Sequence, residues 1–217
     1  MIVTYCPLCN AAVVFDRRVG DQTLTFGTSG KLRHSDLVMY DRTTESWWQQ
    51  FTGEAVAGEY TGTRLKLIPS RLESFELFSK RHPEGSVLVP NDPNFRDYGS
   101  NPYVGYDVSE RPFLFSGNLP EGIEPMARVV VVKLGEPRAV SLKLLRQRGK
   151  MVFDDVMLTW IEGQNSALDQ SKIAKGRDVG NVIVQRRQEN GRWADVPYDV
   201  TFAFVFHAFH PRATILK

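Results

Sequence analysis

Only two of the 217 residues are cysteine and only four are histidine. That scarcity excludes a closed zinc site built from two CxxC pairs, because no second pair exists. Charge of one sign is lacking as well: 27 basic against 25 acidic residues leave +2, without a block of like charges. No global field therefore draws the chain to nucleic acid or to an anionic membrane surface. The longest apolar run, Thr201 to Phe206, is far too short to span a bilayer. No signal peptide precedes the strand-like Ile2-Val3-Thr4-Tyr5, so localisation is left unassigned. GxSxG, HExxH and the Rossmann glycine pattern are missing, which counts against the common hydrolases, zinc proteases and dehydrogenases. What remains, 42% hydrophobic and 24% charged, is ordinary globular composition, long enough to bury a core.

Both cysteines fall in Thr4-Tyr5-Cys6-Pro7-Leu8-Cys9-Asn10, three positions apart. At that spacing two sulfurs can reach one metal ion or close a small, strained disulfide, and Pro7 restricts the backbone that aims them. The plain alternative is a reduced pair filling core space beside Val3, Val13 and Val14. Further metal ligands would have to come from His34, His207 or His210, since His82 reads as part of an exposed helix terminus.

Strand patterns dominate: Val3–Tyr5, Ala11–Asp16, Gln22–Phe26, Leu37–Tyr40, Ser46–Gln50, Leu65–Ile68, Ala127–Lys133, Met151–Trp160, Asn181–Arg186 and Val200–Phe206. The pattern predicts a mainly β (α+β), antiparallel β-rich fold with two or three short helices. One helix is expected to open at the capping box Ser70-Arg71-Leu72-Glu73 and to bury Leu72, Phe75 and Phe78. A second fits Ser141 to Arg148, with Ser141 as N-cap, Leu142 and Leu145 inward and Gly149 as its stop. Residues 91–125, rich in Pro, Gly, Asn and Asp, read as an ordered connecting loop between β-rich halves at 1–90 and 126–217. The halves are expected to be pseudo-repeats packed into one unit: Leu158 to Asp169 can be laid on Val3 to Val14 at an offset of 155, with Ile161 and Gln164 in place of the cysteines.

Phe26 to Asp36 reads as a polar, Gly-flanked loop that brings Ser29, His34 and Asp36 to the rim of a cleft, with His34 either a metal ligand or the base that activates Cys6. A hairpin turn is expected at Asp41–Glu45. The adjacent Trp47 and Trp48 must face opposite sides of a strand, so that one of them, together with Gln49, could wall the cysteine site. Strand alternation through His207-Ala208-Phe209-His210 separates the two histidines, and His210 before Pro211 is favoured as third ligand. Asp154 and Asp155 diverge on a strand and are not a proton-sharing pair.

Val3-Thr4-Tyr5-Cys6-Pro7-Leu8-Cys9, Phe26-Gly27-Thr28-Ser29-Gly30, Ser35-Asp36-Leu37-Val38-Met39-Tyr40-Asp41-Arg42, Ser46-Trp47-Trp48-Gln49 and Ala208-Phe209-His210-Pro211 together resemble the bacterial and archaeal family called domain of unknown function 3179. The resemblance spans nearly the whole chain but implies no activity. It implies that members are often exported and carry a further segment before the TYCPLC motif, and Val129 to Leu142 looks like that segment. It also marks Cys6, Cys9 and His210 as the site.

The leading expectation is a transition-metal protein, copper first and zinc second, with Cys6, Cys9 and His210 as ligands and His34 as fourth ligand or supporting donor. Ser29, Asp36, Trp48 and Gln49 would line the cleft. A small molecule or a metal-delivery protein would be the partner. Two other readings stay open: thiol-disulfide exchange through Cys6 or Cys9, and a small-ligand module with inert cysteines.

Overall fold

The computed structural model describes residues 1–217 and consists mostly of antiparallel β-structure. β1 (Ile2–Cys6) and β2 (Ala11–Phe15) form a hairpin whose loop is Pro7–Asn10. A ribbon of β3 (Arg18–Val19) and β4 (Gln22–Thr23) leads to the meander β5 (Phe26–Arg33), β6 (Asp36–Asp41), β7 (Trp47–Gln49), β8 (Ala55–Ala57). After α1 (Phe75–Arg81) the chain runs to residue 127 without a strand or α-helix. β9 (Arg128–Val132), β10 (Arg138–Ser141), α2 (Leu142–Arg148) and a second meander of β11 (Lys150–Phe153), β12 (Val156–Ile161), β13 (Asn181–Arg187) and β14 (Trp193–Asp195) follow. β15 (Tyr198–Phe202), α3 (Ala203–Phe209) and β16 (Ile215–Leu216) close the chain, the two strands joining β9 and β10 in a sheet ordered β15-β9-β10-β16.

β9 is buried on both faces. Val130 and Val132 enter a core made with α2, β12 and β13, while Val129 and Val131 enter a second core with Cys6, Cys9, Phe51 and Phe202–Phe206. The cysteines therefore lie in the apolar layer that joins the first and second halves of the chain. Val13, Phe15, Met39 and Trp48 belong to a third core, inside the first half.

Several local expectations hold. α2 is capped by the Ser141 hydroxyl, buries Leu142 and Leu145, and ends at Gly149, where φ is 68°. Trp48 is fully buried while Trp47 is exposed, as strand alternation requires. Others are corrected. α1 starts after Ser74, not Ser70, and none of its residues is buried. The reason is tertiary: Arg71 donates two 2.6 Å hydrogen bonds to Asp195, and the Ser74 N–H donates to Asn181, which holds Ser74 extended as the N-cap and keeps the preceding residues out of the helix. Phe26–Arg33 is a strand with a bulge between Thr28 and Lys31, not a loop. Met151–Trp160 is a hairpin, β11–β12, turning at Asp154-Asp155. Leu65–Ile68 contributes only a bridge, Phe15 to Leu67. The apolar run after Val200 leaves the sheet at Phe202, where its β9 partner is Arg128, the first residue of that strand. With the ladder exhausted, Ala203 and Phe204 donate to Ala127 and Pro125 and the chain coils into α3.

Each half holds a four-stranded antiparallel meander. The two segments aligned at an offset of 155 share a strand over Val3–Tyr5 and Leu158–Trp160. They part afterwards: Ala11–Val14 runs as β2, whereas Ser166–Asp169 turns.

Candidate metal centre

The CPLC segment is a hairpin loop. Cys6 closes the β1–β2 ladder opposite Ala11, Cys9 N–H donates to Cys6 carbonyl at 3.2 Å, and Asn10 takes φ 53°, a left-handed conformation that asparagine tolerates well. This places both thiols on one side of the turn. The loop backbone is tied down from without: Thr201 Oγ1 and Phe202 N–H donate to the Cys9 carbonyl, Tyr106 hydroxyl donates to the Leu8 carbonyl, and Asn10 Nδ2 donates to Val200.

A second turn meets it. His34 and Ser35 join β5 to β6 as a two-residue loop with φ of 56° and 64°, and both are non-glycine. The strained turn presents the Ser35 carbonyl to both sulfurs, at 3.8 Å from Cys6 Sγ and 3.3 Å from Cys9 Sγ. It also puts Asp36 at the head of β6. One ligand atom from each of Cys6, Cys9 and Asp36 lies within 4.8 Å of the other two, and all three residues are buried. The cysteines are free thiols.

Asp36 Oδ2 accepts from Gln49 Nε2 at 2.5 Å and from Phe51 N–H at 2.9 Å, whereas Oδ1 has no hydrogen-bond partner. Lys133 holds the other end of Phe51: its ammonium donates to the Phe51 carbonyl at 2.8 Å and lies 4.5 Å from the centre of the ring. Asp199 Oδ2, also without a hydrogen bond, forms a 4.0 Å ion pair with that ammonium, and Asp199 Oδ1 accepts from Ala12 N–H. Burial pushes the Asp36 carboxyl up to about 6, against its hydrogen bonds and Lys133. Burial likewise raises Asp199 to about 6, lowers Lys133, and lifts the Cys9 thiol well above its ordinary range.

Of the residues expected at the site, Cys6, Cys9 and Asp36 converge, and Gln49 supports them through Asp36. His210 and His34 are outside the cluster. His210 caps α3, half-buried against Phe51 and Phe206, because the strand expected there is a helix. His34 is exposed at the turn, edge-on to Phe209. Ser29 spends its hydroxyl on the Val38 carbonyl across the bulge, and Trp48 donates to Asp41 within the core of the first half. Lys133, Asp199 and Ser35 were not foreseen. A lysine at the end of the run Val129–Val132 was the one available sign.

A site of two thiols and one carboxylate, buried and fixed by neighbours, can hold a cation once the thiols lose their protons. No helix of the chain is long and apolar enough to cross a membrane. Residues 1–213 match the model of the family described as Protein of unknown function (DUF3179). No curated protein and no solved structure matches the chain.

Proposed function

The chain belongs to the DUF3179 family, and since that membership brings no activity with it, we propose from the geometry that the protein binds one divalent transition metal, zinc before copper, through Cys6, Cys9 and Asp36. The observation that carries the reading is the grouping of a buried carboxylate with two free thiols: Asp36 Oδ1 takes no N–H or O–H donor, and the thiol that faces the carboxyl, Cys9, is itself a ligand group. Thiolates suit both zinc and cuprous ion, but a carboxylate in place of the expected imidazole favours the harder zinc. Charge points the same way. Replacing two thiol protons by a divalent ion leaves the net charge of Cys6, Cys9, Asp36, Asp199 and Lys133 unchanged; a monovalent ion would leave a buried cluster one unit more negative.

The centre is structural in this reading: an ion there would clasp the β1–β2 loop to the β5–β6 turn. Cys6, Cys9 and Asp36 are 2%, 0% and 0% exposed, so an ion between them would be enclosed by protein, which favours a structural role over one open to substrate. Thiol-disulfide exchange is disfavoured because Cys6 and Cys9 are 2% and 0% exposed and the Cys9 thiol is hard to ionise. Trp48, set in a different core, gives no support to a ligand cleft at the cysteines.

Elemental analysis of reduced protein loaded with zinc or copper tests the proposal. About one zinc per chain, at least tenfold weaker in Asp36→Asn and absent in Cys6→Ser, is the expected result. Zinc retained equally by both variants, or bound by none of the three proteins, would overturn it.

A further inference from the structure

A cleft of about 860 Å³ lies between α2, the turn at Asp107 and residues 122–127, apart from the cysteine pair and within the size range of small-molecule sites. Its walls carry five cations, Arg128, Lys143, Arg146, Arg177 and Lys217, against the carboxylates of Asp107, Glu124 and Asp178. Two of those carboxylates are already committed. Asp107 is buried and pairs with Arg128 at 2.7 Å and with Arg177 at 2.9 Å. Asp178 accepts from the backbone N–H groups of Gly163, Gln164 and Gly180.

Lys143 and Arg146 take no part in these pairs. Three residues apart on α2, they share one face of the helix. The Arg146 guanidinium lies 5.2 Å from the centre of the Trp160 ring. That ring is itself braced: its indole N–H donates to the Val179 carbonyl, and it packs so closely on Gly180 that a Cβ there would collide with it. An arginine seated on a braced aromatic face loses less freedom on binding and keeps a planar fork of donors for an oxyanion. Exposed cations alone would be unremarkable; a cation held in place, unpaired, at the wall of a cleft where only Glu124 among three acids is free is a recognition element.

We infer that this cleft binds a small organic anion carrying at least two negative charges on carboxylate or phosphate groups, gripped by Arg146 and Lys143. Arg177, 40% exposed, is paired with Asp107 and Asp169, and with Arg128 it forms a charge-balanced side of the cleft, which leaves Arg146 and Lys143 as the free cations. Leu142 and Val179 supply an apolar wall for the body of the ligand.

Isothermal titration of the full chain with citrate and with pyrophosphate, at low and at physiological ionic strength, tests this. Saturable one-to-one binding is expected at both ionic strengths, at least tenfold weaker in Arg146→Ala and unchanged in Arg148→Ala, whose side chain is on the same helix but outside the cleft. Tighter citrate binding would mark a polycarboxylate and tighter pyrophosphate binding a phosphate compound, each in support. Absence of saturation, or equal weakening in Arg146→Ala and Arg148→Ala, would show diffuse attraction only and overturn the inference.

Discussion

Lys133 is the one cation near two buried carboxyls, Asp36 and Asp199, and at the scale of single residues this imbalance has a measurable consequence. The Asp199 carboxyl sits at about 6 when folded and near 3.9 when unfolded. A carboxyl raised in this way binds more protons in the folded state between those values. Its contribution to stability is therefore complete below the unfolded pKa and lost as pH rises through the folded one. The loss amounts to about 2 kcal/mol between pH 4 and pH 7. Urea unfolding of wild-type and Asp199→Asn protein should show the variant gaining on the wild type by about that much over this interval. A stability difference that does not change with pH would mean that Asp199 is ionised throughout. Cys6 and Cys9 were legible in the sequence because a spacing of three is local information. The role of Asp36 was not, since it depends on Gln49, Phe51 and Lys133, which reach it through the fold.

At the scale of elements, the β5–β6 turn stands out for its residues. Such a two-residue turn, with positive φ at both positions, is commonly Asn-Gly; here it is His34-Ser35. Ser35 is held there by its hydroxyl, which donates to the Phe113 carbonyl at 2.6 Å, and by the two thiols on its own carbonyl. The His34 ring makes no such bond, and the left-handed conformation costs a non-glycine, non-asparagine residue on the order of 1 kcal/mol. His34→Asn should raise stability by up to about 1 kcal/mol in thermal unfolding and leave zinc content unchanged. Loss of zinc would return His34 to the ligand set. Elements whose limits are chemical and local, such as α2 with its Ser141 cap and Gly149 stop, were readable from the sequence. α1 and α3 were not: Asp195 and Asn181 displace the start of one, and the end of the β9 ladder turns a β-prone run into the other.

On the scale of the whole molecule, the cysteines share one apolar core with Phe51 from the first half and with Val129, Val131 and α3 from the second. A metal there would stabilise the folded chain by its binding free energy, about 2.7 kcal/mol at a free concentration one hundred times the Kd. For a protein of this size that corresponds to an upward shift in Tm of about 5–10 °C. Calorimetry of the zinc-loaded protein before and after chelation checks it, and identical Tm values would argue against a bound structural ion. The sequence by itself determined the β-rich class, the strands that alternate, α2, and the cysteine pair, because periodicity, caps and short spacings are properties of neighbouring residues. Only the tertiary structure decided the third member of the cluster. His210 and Asp36 were both available along the chain; a helix carried the first away, and a strained turn delivered the second beside the thiols with one oxygen unclaimed.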